Sequence, residues 1–162
     1  SNTGPLIALA KIDRLDLLAQ LFDRVHIAPA VHRELLAGKA ADVARLEDAL
    51  TRFIAMKQPA PVAPEVENAT LRLGAGEQQA IRLAYELRLP LMIDDRAGRT
   101  VARRLGILVT GLAGVLIRAK EVGLITAARP LLEEIRQRGY WLSDELIEEA
   151  GKLASEDGRT NS

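Results

Sequence analysis

The stretch Leu89–Arg104, LPLMIDDRAGRTVARR, decides the reading of the whole chain. It begins with an apolar run, Leu91-Met92-Ile93, which ends in two adjacent carboxylates, Asp94 and Asp95. A helical pattern with four arginines follows: Arg96, Arg99, Arg103 and Arg104. A short apolar run, closed by acids and followed by a helix, reads as a buried parallel strand feeding a helix. In open α/β sheets the carboxyl ends of such strands are where ligands bind. The rest of the chain is therefore read for other groups that could reach this strand end.

Upstream, Ser1-Asn2-Thr3-Gly4-Pro5 opens into the apolar LIALAKI. Asn2 or Thr3 can cap a helix there, and Pro5 suits a first helical position. RLDLLAQLF predicts a second short helix with Asp13 as its cap. Val25 to Ala28 reads as a strand, and Pro29 to Gly38 as a helix that the glycine ends. A further helix covers Ala41 to Thr51, and Phe53 to Met56 reads as a strand. Pro59, Pro61 and Pro64 make Gln58 to Glu65 a loop within one domain. Gly74-Ala75-Gly76 introduces the helix EQQAIRLAYELR.

Downstream, Ile107 to Val109 is a strand, and helices follow over Gly114 to Val122, Ala127 to Arg138 and Ser143 to Ala154. Ser143 is the cap of the last, with Leu146 where a capping box would carry an acid. Strands alternating with helices predict an α/β fold with a parallel sheet covered on both faces. The domain is expected over 1–154, with 155–162 a polar, frayed tail. A strand leading into Asn2 is normal in such a unit, so the first strand is expected to be truncated or to lie upstream of Ser1.

Composition narrows the chemistry. With 162 residues, 48% of them hydrophobic, the chain can bury a core of its own. It has no cysteine and two histidines, His26 and His32, which argues against thiolate chemistry and a His-rich zinc site. No apolar stretch approaches the ~20 residues of a membrane span, and the cytoplasm is the default compartment. Twenty-two basic and 22 acidic residues cancel, so any nucleic-acid contact must come from a local patch. Aromatic residues are scarce, which argues against a base-stacking surface; Tyr140 and Trp141 read as anchors for the C-terminal helices.

Candidate site residues fall near strand ends or helix starts: Asn2, Glu34, Glu77, Asp94 and Asp95. Gathered at one sheet edge, they would offer hard oxygen ligands for Mg²⁺ or Mn²⁺. Such ions can activate a water and stabilise a leaving oxygen in phosphodiester cleavage. Each residue also has a plainer reading. Asn2 and the two aspartates can cap helices, Glu34 can be a solvated surface acid, and Glu77 can complement a helix dipole. Arg96, Arg99 and Arg103 can line one flank of their helix as phosphate contacts, with Arg118 and Lys120 extending the strip, or form a solvated face.

In order and spacing, SNTGPLIALAKI, PAVHRELL, GAGEQQAIRLA, LMIDDRAGRTVARRLGILVTGLAGVLIRAK and the tail RGYWLSDELIEEA resemble the PIN-domain family, most closely its VapC-like toxins of prokaryotic toxin–antitoxin pairs. The resemblance covers Ser1 to Ala154. It implies a three-layer α/β/α sandwich whose first strand is central and runs into Asn2. It also implies an endoribonuclease using Mg²⁺ or Mn²⁺, with RNA as substrate, a cognate antitoxin and a homodimer. By position, the family's acids fall on Asn2, Glu34, Glu77 and Asp95, with Asp94 beside it. Asn2 departs from the usual Asp and brings no charge. The alternative is a PIN-fold binding module, catalytically weak, for an antitoxin or RNA. A phospho-acceptor domain ranks below both, because no lysine can be assigned to the acids.

Overall fold

The structure is a computed structural model that describes residues 1–156. It is α/β and mostly helical, with four short strands. The elements are α1 (Thr3–Lys11), α2 (Asp16–Leu21), β1 (Val25–Ile27), α3 (Pro29–Leu36), α4 (Ala40–Arg52), β2 (Ile54–Met56), α5 (Pro64–Thr70), α6 (Ala75–Leu87), β3 (Leu91–Met92), α7 (Arg96–Arg104), β4 (Val109–Thr110), α8 (Leu112–Glu121), α9 (Arg129–Gln137) and α10 (Asp144–Leu153). Among these residues no helix is long and apolar enough to cross a membrane.

The strands form two parallel pairs rather than one continuous sheet. In one pair Val25 lies opposite Ile54 and Ile27 opposite Met56. In the other, Leu91 lies opposite Val109 and Met92 opposite Thr110. Ser1 and Asn2 bridge the pairs. The Ser1 amino group donates to the His26 carbonyl at 2.6 Å, and the Asn2 amide donates to the Met92 carbonyl at 2.9 Å. Beside Ser1 a cavity of about 150 Å³, walled by Val25, Leu83 and Leu91, separates the two pairs.

Helices cover the strands. α3 packs on α6, α1 on α3 and α4, and α10 on α8 and α9. Leu6, Leu9, Leu18, Ile27, Leu35, Ile81, Leu91, Ile93, Leu112 and Leu116 are fully buried between them. Each such side chain contributes about 1.5–3 kcal/mol relative to exposure.

Several sequence expectations are corrected. Asp13 does not cap the second helix; it sits at φ 55° in the turn after α1, and α2 starts at Asp16. Pro5 stands in the first turn of α1 but at its third position, where its missing N–H still costs no helical bond. The proline-rich loop ends sooner than expected, because Pro64 begins α5. Ile107 is not in a strand: its amide closes the end of α7 on the Ala102 carbonyl, across Gly106 at φ +75°. Glu156, expected in a frayed tail, is held at both oxygens by the amides of Ala128 and Arg129, at 2.6 and 2.9 Å, and pairs with Lys120 at 3.3 Å. Residues 157–162 of that tail lie outside the described residues.

Candidate metal centre

The strand ends bring residues from four segments to one face. Asn2 is 4% exposed and does not use its side chain to cap α1. Its amide nitrogen donates instead to Glu77 Oε1 at 3.0 Å. A carboxylate only accepts, so this bond fixes which end of the amide faces Glu77. Asn2 Oδ1 is left pointing away, buried and without a hydrogen-bond partner. A buried unpaired carbonyl oxygen costs about 1–3 kcal/mol, and a cation would satisfy it.

Glu77 occupies the first turn of α6 and curls back over Gly74. Glu34, exposed on α3, accepts from the Thr3 hydroxyl. Its carboxylate lies over Gly76: a β-carbon there would meet both Glu34 oxygens, at 2.6 and 2.7 Å. Gly98 lies beside two further acids, although the closest atom to a β-carbon there would be Ile93 Cδ1, at 2.5 Å. A β-carbon at Gly98 would meet Asp95 Oδ2 at 3.3 Å and Glu77 Cγ at 3.6 Å, so these two acids flank one glycine. Asp95 also caps α7, accepting from the Gly98 amide at 2.6 Å.

Asn2, Glu34, Glu77 and Asp95 thus share a neighbourhood, but not yet a common point. Among the described residues no three His, Cys, Asp or Glu side chains converge as a metal cluster. Each carboxylate is held by its own donor: Glu34 by Thr3, Glu77 by Asn2, Asp95 by Gly98. The donor set still fits a hard divalent ion, with the unpaired Asn2 Oδ1 and the carboxylates of Glu77, Asp95 and Glu34 as its oxygens.

Asp94 is placed differently from its neighbour. Its Oδ1 accepts from the Leu112 amide at 2.9 Å, which caps α8, and its Oδ2 accepts from the Tyr140 hydroxyl at 3.1 Å. Burial raises its pKa despite these donors and nearby Arg99. With both oxygens engaged, Asp94 ties three segments together.

The arginines also separate. Arg99 is part-buried and donates to the Ile93 carbonyl at 2.9 Å. Arg96, Arg103 and Arg104 are exposed, and no ion pair joins them to a described residue. Arg118 pairs with Glu121 and Lys120 with Glu156, so neither extends the strip freely. Arg72 lies outside the arginine strip read from the sequence, standing alone between Leu71 and Leu73. It lines a groove of about 670 Å³ together with Arg96, Arg104 and Asp95. Among the described residues neither His26 nor His32 bonds these acids, and His26 lies within β1 with Nδ1 buried and unpartnered.

Comparison with known proteins bears on the family and its fold. A family model described as PIN domain matches residues 1–156. No curated protein and no solved structure matches the chain. With almost its whole length matched, the chain belongs to the PIN-domain family and has that family's nuclease-like fold.

Proposed function

We propose that the protein is a metal-dependent endoribonuclease, acting as the toxin of a toxin–antitoxin pair. The observation that carries the metal reading is the buried, unpartnered Asn2 Oδ1 beside Glu77. Glu34, Glu77 and Asp95 would hold Mg²⁺ or Mn²⁺ together with Asn2. When bound, such an ion activates water for attack on a phosphodiester and stabilises the leaving oxygen. Asp94 then serves as a positioning residue, because both of its oxygens are engaged. Arg96 and Arg103, with Arg72 and Arg104, would hold RNA phosphates, while Arg99 holds the backbone at Ile93. The two hydrogen bonds from Ser1 and Asn2 support a three-layer sandwich in which β1 and β3 flank the N-terminal segment. The cognate antitoxin and the homodimer belong to the same reading, as does a cytoplasmic setting.

Purified protein free of antitoxin should cleave single-stranded RNA in Mg²⁺ or Mn²⁺ and stop when the ion is chelated. No cleavage of any RNA with either ion would overturn the enzyme reading. The neutral Asn2 and the separated carboxylates favour one rival, a PIN-fold binding module for an antitoxin or RNA. Failure to bind Mn²⁺ at millimolar concentration would decide for that module.

Gly76→Ala offers a sharper check. Alanine suits a helix better than glycine by about 1 kcal/mol, and the new methyl displaces only the end of an exposed side chain, Glu34. We expect unchanged or slightly raised thermal stability with at least a tenfold loss of RNA cleavage. Full activity would mean that Glu34 need not lie over α6.

A further inference from the structure

Tyr140 and Trp141 are neighbours in sequence and opposites in space. Tyr140 turns inward to bond Asp94. Trp141, the chain's single tryptophan, is 83% exposed. It stands at a cleft of about 920 Å³ between α8 and α10, within the ~300–1,000 Å³ range of small-molecule sites. Asp94, Asp95 and Arg96 line the same cleft. A large aromatic ring left in water, on a cleft that residues of the candidate metal centre also line, calls for a partner.

We propose that Trp141 is the stacking platform for an unpaired RNA base next to the cleaved phosphate, a proposal that rests on the ribonuclease reading. Every nucleobase has a π-face that can stack on such a ring. Ile117, Leu146 and Leu153 give the cleft flat apolar walls, and Thr110 and Ser143 add hydroxyls that can meet base edges. A strand with its base at Trp141 and its phosphate at Asp95 must pass Arg96, an exposed cation shared with the neighbouring Arg72–Arg104 groove. Within the cleft Arg96 and Arg99 stand against Asp94, Asp95 and Glu149, so it is the adjoining Arg72–Arg104 groove, rather than the charge of the cleft itself, that favours a phosphate-bearing occupant over an apolar helix or a second copy. A base inside a duplex offers no free face, so the site selects single-stranded RNA.

The single tryptophan supplies its own reporter. A single-stranded oligoribonucleotide, titrated in chelating buffer to prevent cleavage, should quench Trp141 emission saturably. A duplex of the same sequence should not. Affinity, read independently by anisotropy of a labelled strand, should fall about tenfold or more in Trp141→Ala and much less in Trp141→Phe. Because the side chain is exposed, both variants should keep the wild-type circular dichroism. Three results would overturn the proposal. RNA binding with unchanged emission and equal affinity in Trp141→Ala would remove the platform and leave the ribonuclease reading standing. Emission that shifts with protein concentration alone would make the cleft a contact between copies. No RNA binding by any variant, with no cleavage in Mg²⁺ or Mn²⁺, would remove both readings.

Discussion

Asp95→Asn should lower RNA cleavage at least a hundredfold while leaving Tm within about 2 °C of wild type. The two halves of this expectation have separate causes. Asn and Asp cap helices about equally well, so the bond from the Gly98 amide persists and α7 keeps its start. A stability change within about 0.5 kcal/mol is only one or two degrees for a chain of this size. The lost negative charge, however, comes from a centre where Asn2 already supplies none. Changing groups that merely support metal ligands costs about 10–100-fold, so a direct ligand should cost more. Asp95→Ala would lose the cap as well, by about 1 kcal/mol, and would mix the two effects. Metal-dependent cleavage and a thermal melt on the same preparation test it. Retained activity would leave Asp95 as a helix cap alone.

Asp94→Ala should have the largest effect on stability, about 2–4 kcal/mol. It removes the partner of the Leu112 amide and of the Tyr140 hydroxyl together. Both donors are then left in a part-buried setting that the small side chain does not fill. Asp94→Asn should cost far less, because the amide oxygen can still accept from Leu112 and its nitrogen can donate to the tyrosine oxygen. The two forms should also diverge with pH. Burial raises the Asp94 pKa, so its contribution is fully present below the unfolded carboxylate value and is lost as pH rises through the higher folded one. The stability gap between wild type and Asp94→Asn should therefore narrow as pH rises through that interval. Urea unfolding at several pH values measures it, and a gap that widens would contradict the sign.

Local patterns in the sequence reveal much of this protein. Helical periodicity, Pro29 at the start of α3 and Ser143 capping α10 through the Leu146 amide all act within one turn of chain. The cap at Asp95 is of the same kind. What the sequence hides is direction. Asp94 and Asp95 look equivalent, yet one reaches a helix amide three residues on and the other a tyrosine 46 residues away. Tyr140 and Trp141 were read together as anchors, and only the first is turned inward. Arg99 shares a spacing with Arg96 and Arg103, but a backbone carbonyl holds it. Prolines mask helix α5 in the sequence, although Pro64 is a helix-starting residue rather than a breaker there. The parallel strands are only two or three residues long, too short for periodicity to set their limits.

The bridge made by Ser1 and Asn2 also has a kinetic meaning. These two residues close contacts across 25 positions to His26 and 75 positions to Glu77. Long loops close late, because their entropy must be lost before the contact repays it. The helical halves can therefore assemble before the junction between them forms. Asn2, which belongs to both the junction and the candidate metal centre, is therefore expected to be seated late in folding, which pulsed hydrogen exchange at its amide would test. The candidate metal centre would then be completed late, so that a half-folded chain would lack it.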